Sequence, residues 1–173
     1  MVTKLDKTAE NVVQLLKAHG LTAATAESCT GGLISAELTS VSGSSDVFGF
    51  GVCTYANEAK MKLLGVKAET LGTVGAVSEE TAVQMAEGVR RLSGADIAVS
   101  VTGIAGPTGG TPEKPVGTVY IGCSTEGRTY AVRYLFTGKA FPEAKDSREA
   151  VRYETALTAF ETIIKEIQKQ GDK

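Results

Sequence analysis

Residues 95–103, ADIAVSVTG, decide the fold. Small and apolar residues run through this stretch after its single aspartate, without the alternation of apolar and charged positions that a half-exposed strand shows. Such a run is typical of a strand whose two faces are both covered, as in a sheet with helices packed on either side. The stretch therefore predicts a central strand of a layered α/β domain.

Helical and strand patterns alternate on both sides of this stretch. Helices are predicted at 5–19, 30–41, 57–65, 78–94 and about 146–170. Strands are predicted at 21–27, 46–56, 118–125 and 128–136, the last two as a hairpin that turns at Glu126 and Gly127. This order predicts an α/β fold, a three-layer α/β/α sandwich with a mixed, mostly parallel sheet, in a single domain over residues 1–173.

Composition excludes several classes of function. The 173 residues include 42% hydrophobic and 22% charged residues, and the formal net charge is −2, so no field strong enough to bind nucleic acid is expected. No apolar run approaches the roughly 20 residues of a membrane span, and the amino terminus lacks a secretory pattern. We expect a cytoplasmic protein that binds neither nucleic acid nor a membrane.

Metal and cofactor chemistry find little support in the sequence. The cysteines Cys29, Cys53 and Cys123 are widely spaced without a CxxC pair, and the single histidine, His19, stands at the predicted end of the first helix. These residues suggest neither a disulfide framework nor a zinc site. We predict a protein without metal or cofactor, and a base other than histidine if it is a hydrolase.

Chemistry-bearing residues follow the predicted strands at one edge of the sheet. In open α/β sheets, the loops at the carboxyl ends of the strands form the usual ligand crevice. This rule brings together residues 27–32, 55–60 and 102–110, and the start of the last helix is a fourth candidate for the same edge.

TAESCTGG, residues 25–32, joins a strand to a helix. Ser28 at this junction suits either a helix cap or a nucleophile, and Thr30 is an equally good cap that would leave Ser28 free. Gly31 and Gly32 allow a ligand to approach the backbone, where N–H groups bind an oxyanion. Cys29 is the rival nucleophile, but a thiolate needs a cationic partner.

Lys60 is the candidate base. With Asn57 as N-cap, Lys60 falls in the first turn of a short helix, where the dipole disfavours an ammonium and lowers its pKa. A neutral amine can take a proton from a serine hydroxyl, as in Ser-Lys hydrolases. Tyr55 is placed to relay a proton or to hold the amine. The alternative is a surface lysine beside a partly buried tyrosine.

SVTGIAGPTGG, residues 100–110, matches neither GxxxxGK[ST] nor GxGxxG. As a loop rich in N–H groups after a buried strand, it is suited to cradle a phosphate, with Thr102, Gly103 and Gly106 as binding residues. A long turn that only joins two strands is an equally good interpretation.

The last helix begins with two arginines. Asp146 and Glu149 resemble a capping box, so Arg148 lies in the first turn and Arg152 follows one turn later on the same face. Two guanidinium groups near a helix amino terminus suggest an anionic ligand. Neutralisation by neighbouring glutamates is the alternative.

Motifs along nearly the whole chain resemble the CinA C-terminal domain family. They are TAESCTGG, G..TY.NEAK...LGV, GAVSEET...MA.G, AD.A.S.TGIAGP.GG, KPVGTVY and the closing R..VR, in this order. The family's enzymes are nicotinamide mononucleotide deamidases, which convert that nucleotide to nicotinate mononucleotide and ammonia in the recycling of NAD. The resemblance covers only the deamidase half of those CinA proteins that also carry a large N-terminal domain.

The resemblance implies functional residues. It implies Ser28 as nucleophile and Lys60 as base, with Tyr55, Thr102 and an arginine of the last helix assisting or binding substrate. Family members run from the last strand into GDRxxVR, whereas TGKAFPEAKDSREAVR here is longer, so the choice between Arg148 and Arg152 for the phosphate stays open.

Two further expectations concern partners. The rival to an enzyme is a non-catalytic module that senses nucleotides or binds partners in a competence or damage-response system. A homodimer is expected, with residues 46–56 and the apolar face of the last helix as the surfaces that would pair.

Overall fold

The computed structural model describes residues 3–171. The strands are β1 (Ala23–Glu27), β2 (Phe48–Cys53), β3 (Ile97–Gly103), β4 (Thr118–Thr125) and β5 (Arg128–Leu135). The α-helices are α1 (Lys4–His19), α2 (Leu33–Ser40), α3 (Asn57–Ala59), α4 (Ala68–Thr73), α5 (Glu79–Ser93) and α6 (Ser147–Gly171). A 3₁₀ turn (Ser44–Asp46) precedes β2, and a π-helical turn (Lys60–Leu64) continues α3.

The strands form one sheet in the order β2-β1-β3-β4-β5. β1 pairs in parallel with both β2 and β3, whereas β4 is antiparallel to β3 and β5. Four strands therefore run in one direction and β4 in the other, which confirms the predicted mixed sheet. The predicted hairpin is also confirmed, because Thr125 pairs with Arg128 across the turn.

Helices cover both faces of the sheet, which confirms the three-layer sandwich. On one face, α1, α2 and α6 enclose the larger core, in which Val99 and Val101 of β3 lie fully buried. On the other face, α5 and the π turn pack against small residues such as Ala24, Ala26 and Ala98. Because successive side chains of a strand point to opposite faces, β3 serves both cores at once.

Polar groups fix the ends of several elements. Thr3 and Asp6 form a reciprocal capping box at the start of α1, and Gly20 ends this helix in the left-handed conformation. The Asp96 carboxylate accepts hydrogen bonds at 2.8 Å from both the backbone N–H and the hydroxyl of Thr22. This contact joins the beginnings of β1 and β3 and sets their register.

The structure differs from the prediction at several short elements. α4 and the 3₁₀ turn lie where no helix was predicted, and α2 begins at Leu33 rather than at residue 30. Asn57 is not an N-cap: it is the first residue of α3, and Ala56 precedes it without a side-chain cap. None of the helices within residues 3–171 is long and apolar enough to cross a membrane.

Candidate active site

The carboxyl ends of β1, β2 and β3 open into a cavity of about 350 Å³. Seven of the predicted site residues line it: Ser28, Tyr55, Lys60, Thr102, Gly103, Gly106 and Arg148. They come from four separate stretches of the chain, as the rule for open α/β sheets predicted. A larger cavity of about 710 Å³ lies near Asp96 and the β4–β5 turn, at the opposite end of the sheet.

Lys60 meets Ser28 at the base of the smaller cavity. The Lys60 Nζ lies 3.1 Å from the Ser28 Oγ, a hydrogen-bonding distance, although the two residues are 32 positions apart in the chain. Lys60 is 1% exposed and Ser28 is 8% exposed. A buried amine within hydrogen-bonding distance of a hydroxyl is the arrangement that a Ser-Lys pair requires.

Two backbone carbonyls hold the amine in this position. The Lys60 Nζ donates to the carbonyl oxygens of Thr54, at 2.8 Å, and Tyr55, at 3.1 Å. A neutral amine has two N–H groups and one lone pair. If both N–H groups bind these carbonyls, the lone pair is left to accept the hydroxyl proton of Ser28.

The pKa of Lys60 is lowered, in the predicted direction but for a different main reason. Burial disfavours the charged ammonium and lowers the pKa, while the neighbouring thiols of Cys29 and Cys53 oppose that shift. No carboxylate within residues 3–171 forms an ion pair with this amine. The prediction had assigned the shift to the dipole of a helix capped by Asn57, and that cap is absent.

Tyr55 was predicted to relay a proton or to hold the amine, and it contacts the amine through its main chain. Its backbone carbonyl holds the amine, whereas the residue as a whole is 64% exposed and lines the cavity. The phenol oxygen lies 3.4 Å from Nη2 of Arg148. Tyr55 therefore holds Lys60 through its main chain and lines the cavity.

Arg148 and Arg152 have separate surroundings. Arg148 lines the cavity and donates from Nη1 to the carbonyl oxygen of Gly106 at 2.6 Å. Arg152 is outside the cavity lining and donates to the carbonyl oxygen of Thr30. Asp146 caps α6 as predicted, accepting from the Glu149 N–H at 2.8 Å, whereas the Glu149 carboxylate binds the Lys145 N–H.

Thr30, Gly31 and Gly32 also lie outside the cavity lining. The Thr30 hydroxyl donates to the Glu27 carboxylate at 2.7 Å, and the Gly32 N–H donates to the same carboxylate at 3.0 Å. The Gly31 N–H, predicted to bind an oxyanion, donates to the Ser28 carbonyl instead. The Thr30 hydroxyl and the N–H groups of Gly31 and Gly32 therefore bind within the loop.

The loop nevertheless has unused donors next to Ser28. Among the described residues, neither the Cys29 N–H nor the Thr30 N–H has a protein acceptor. Cys29 also lines the cavity, but burial, reinforced by the charge of Glu27, raises the pKa of its thiol to about 12. A protonated thiol is a poor nucleophile, so the local chemistry favours Ser28.

The 103–117 loop and residues 74–77 close the far side of the cavity. Thr102 donates its hydroxyl to the Ala76 carbonyl at 2.7 Å, and the Lys114 Nζ donates to the carbonyls of Val74 and Val77 at 2.9 and 2.7 Å. Ala76 and Val77 line the cavity. Thr102 thus fixes the cavity wall through its hydroxyl.

Sequence reasoning missed the supports of the site: Glu27, Lys114, Ala76 and Val77. A strand pattern gives no sign that the glutamate at its end is buried. The available signal that Glu27 supports the site was its position directly before Ser28. Ala76 and Val77 are held at the cavity by Thr102 and Lys114, contacts between distant segments that local pattern does not reveal.

The comparisons with known proteins agree with this architecture. Residues 5–167 match the model of the CinA C-terminal domain. A CinA-like protein of Kosmotoga olearia is 52% identical over 154 residues, which cover 89% of this chain and 35% of that protein. The chain thus spans about a third of the length of the curated relatives it matches.

Solved structures share the fold. The competence/damage inducible protein CihA from Agrobacterium tumefaciens is 42% identical with a TM-score of 0.86, and the match covers 94% of each chain. A CinA superfamily protein from Klebsiella pneumoniae is 34% identical with a TM-score of 0.88, covering 96% of this chain and 99% of that one. The chain therefore belongs to the CinA C-terminal domain family.

Proposed function

We propose that the protein is an amidohydrolase that converts nicotinamide mononucleotide to nicotinate mononucleotide and ammonia, in the recycling of pyridine nucleotides. The observation that carries this proposal is the buried Lys60 amine 3.1 Å from the Ser28 hydroxyl. The choice of substrate rests on the resemblance of the sequence motifs to the deamidases of the family. The cavity agrees with that choice in size, since ligand pockets span about 300–1,000 Å³.

The first half of the reaction forms an ester. Lys60 takes the hydroxyl proton of Ser28, and the Ser28 oxygen attacks the carboxamide carbon of the substrate. The N–H groups of Cys29 and Thr30 are the donors available for the oxyanion of the tetrahedral intermediate. When the C–N bond breaks, the leaving nitrogen takes the proton from Lys60 and departs as ammonia.

The second half releases the acid. Lys60, neutral again, takes a proton from a water molecule that attacks the nicotinoyl ester. The Ser28–carbonyl bond breaks, the proton on Lys60 returns to the Ser28 oxygen, and nicotinate mononucleotide leaves. Water is the second substrate, and the two half-reactions as written involve only proton transfers and acyl transfer.

Substrate binding uses the residues around the pair. Arg148 is the guanidinium that lines the cavity, and we assign it to the 5′-phosphate together with the backbone of residues 103–110. The exposed ring of Tyr55 is available to stack on the pyridine ring. A single arginine in a cavity of this size favours a mononucleotide over a dinucleotide.

An ammonia-release assay tests the proposal. Purified protein is given the mononucleotide, its riboside and the dinucleotide, and we expect the mononucleotide to have the highest kcat/KM. Ser28→Ala and Lys60→Met are expected to lower kcat by at least about a thousandfold. Ser40→Ala on α2 and Lys62→Met in the π turn change exposed residues of the same types and should keep wild-type rates.

Calorimetry separates the alternative from the enzyme. A wild-type protein that binds the mononucleotide but releases no ammonia would be a nucleotide-sensing module and would contradict the proposal. Ammonia release by Ser28→Ala at the wild-type rate would contradict the mechanism.

A further inference from the structure

The side chain that precedes Ser28 is a buried carboxylate. Glu27 ends β1, is 0% exposed and does not line the cavity. Its two oxygens accept five hydrogen bonds of 2.7–3.0 Å, from the hydroxyls of Thr30 and Ser35 and the backbone N–H groups of Gly32, Ile34 and Ser35. The five donor groups occupy both oxygens of the carboxylate.

This carboxylate takes over the capping of α2. The first N–H groups of a helix lack partners within it, and a Ser, Thr, Asp or Asn side chain at the N-cap normally accepts from one of them. The N-cap of α2 is Gly32, which has no such side chain. Glu27 accepts from the N–H groups of Gly32, Ile34 and Ser35 instead.

The consequence for Ser28 is that its hydroxyl is not needed as a cap. The Thr30 hydroxyl, the other candidate cap in the loop, is also bound to Glu27. Among the described residues, the hydrogen-bond partner of the Ser28 Oγ is the Lys60 amine. Because Glu27 caps α2, the Ser28 hydroxyl is free to contact the Lys60 amine.

Glu27 also connects the loop to the base. Its backbone carbonyl accepts from the Thr54 N–H at 2.8 Å, and the Thr54 carbonyl accepts from the Lys60 Nζ at 2.8 Å. The carboxylate thus fixes the chain on the Ser28 side, while the carbonyl fixes the strand end that holds Lys60. Glu27 therefore fixes the positions of both Ser28 and Lys60.

We propose that Glu27 is a positioning residue, whose buried carboxylate caps α2 in place of Ser28 and so keeps the Ser28 hydroxyl directed at Lys60. The inference rests on the proposed function of the Ser28–Lys60 pair. Because Glu27 lies outside the cavity lining, its loss affects the reaction of bound substrate rather than substrate binding. The expected signature is a fall in kcat at nearly constant KM.

The central test is Glu27→Gln. The glutamine keeps the size of the side chain but replaces one oxygen by an NH₂ group. This group cannot accept the hydrogen bonds that the replaced oxygen accepts from N–H and O–H donors. We expect kcat for the mononucleotide to fall by about a hundredfold or more, with KM within about threefold of wild type. The rate at which a fluorophosphonate labels Ser28 should fall in parallel, since this rate reports the reactivity of the hydroxyl without the natural substrate.

Two milder variants and one control complete the test. Thr30→Val and Ser35→Ala each remove hydroxyl donors but keep the carboxylate, and we expect kcat and labelling to fall several-fold in each. Thr3→Ala breaks the capping box of α1, a comparable loss at a helix remote from Ser28. It should lower the Tm but leave kcat and the labelling rate unchanged.

The outcomes are distinct. A folded Glu27→Gln protein with unchanged kcat and labelling rate overturns the inference. If that variant does not fold, unchanged labelling in both Thr30→Val and Ser35→Ala overturns it. A wild-type protein that is neither labelled nor releases ammonia overturns the proposed function, and the inference with it.

Discussion

The guanidinium of Arg152 donates two hydrogen bonds to the carbonyl oxygen of Thr30, from Nη2 at 2.7 Å and from Nε at 3.2 Å. A fork of two donors on one oxygen fixes the loop that follows Ser28 from the side of α6. Arg148, one helical turn earlier, is directed at the cavity wall, where it binds the Gly106 carbonyl. Two arginines four residues apart on one helix therefore serve different parts of the site.

This difference predicts separate kinetic effects. Arg148→Gln should raise KM for nicotinamide mononucleotide about tenfold to a hundredfold, because a charge-assisted hydrogen bond to the phosphate is lost, and should leave kcat within a few-fold. Arg152→Gln should lower kcat instead, with little change in KM. Steady-state assays of both variants make the comparison. If Arg152→Gln raises KM and leaves kcat unchanged, Arg152 rather than Arg148 binds the phosphate.

The pH dependence of the reaction follows from the lowered pKa of Lys60. The protonated amine cannot accept the Ser28 proton, so kcat/KM should rise with pH through the pKa of Lys60 in the free enzyme and then level off. Because burial lowers that pKa, the midpoint should lie below the ordinary lysine value of about 10.4. An activity that rises only near the ordinary value, or that falls as pH increases, would contradict the role of Lys60 as base.

Stability should depend on pH for the same reason. The folded state disfavours the charged form of Lys60, so the unfolded chain binds more protons between the lowered pKa and about pH 10.4, and stability rises with pH in that window. Lys60→Met lacks this titration. We expect the Tm of wild type relative to Lys60→Met to increase as pH rises through the window. A Tm difference between the two proteins that does not change with pH would contradict a lowered pKa of Lys60.

Cysteine reactivity distinguishes Ser28 from Cys29 as nucleophile. Burial raises the pKa of all three thiols, to about 12 for Cys29 and Cys123, but Cys53 alone among them is exposed to solvent, on the edge strand β2. A chromogenic disulfide reagent at pH 8 should therefore titrate one thiol rapidly in the native protein and all three after unfolding.

Activity provides the second half of that test. Cys29→Ala should retain at least about half of the wild-type kcat, and Cys53→Ala should abolish the rapid labelling without loss of activity. Inactivation of the wild-type protein by the reagent, together with a folded but inactive Cys29→Ala protein, would assign the nucleophile to Cys29.

Local pattern was sufficient to predict the layers of the fold and to bring Ser28 and Lys60 to one edge of the sheet, whereas the resemblance to the family selected them as a pair. The apolar run at β3 required covered faces, and the rule for strand ends brought the two residues to one edge. The pattern was insufficient for the reasons behind their chemistry. The pKa of Lys60 is lowered chiefly because it is buried, and burial depends on packing between segments 32 residues apart.

The capping of α2 shows the same limit. Ser28 and Thr30 were the expected caps because helix caps are usually adjacent side chains. The acceptor is Glu27 at the end of the preceding strand. From the sequence alone, a charged residue at the end of a strand is expected to be exposed to solvent. Thr30, Gly31, Gly32 and Arg152 were predicted to face the ligand. In the structure the Thr30 hydroxyl, the two glycine N–H groups and the Arg152 guanidinium bind groups within the protein.

The position of the base also depends on a close contact between α5 and the π turn. Gly88 of α5 faces the backbone of Leu64, and a Cβ at this position would overlap the Leu64 carbonyl. Because that overlap involves backbone rather than a flexible side chain, Gly88→Ala must displace the turn that begins with Lys60. We expect a destabilisation of roughly 1–3 kcal/mol, as for other overpacked sites, and a fall in kcat of at least tenfold.

Gly72 in α4 is the matched control, because a Cβ there meets nothing within 4 Å. The substitution Gly72→Ala should stabilise the protein by about 0.5–1 kcal/mol, since alanine loses less conformational entropy in a helix, and should leave kcat unchanged. Denaturant unfolding and ammonia release measure both effects. A Gly88→Ala protein with wild-type kcat would mean that the π turn can move without carrying the Lys60 amine away from Ser28, and that the backbone carbonyls of Thr54 and Tyr55 alone hold the base.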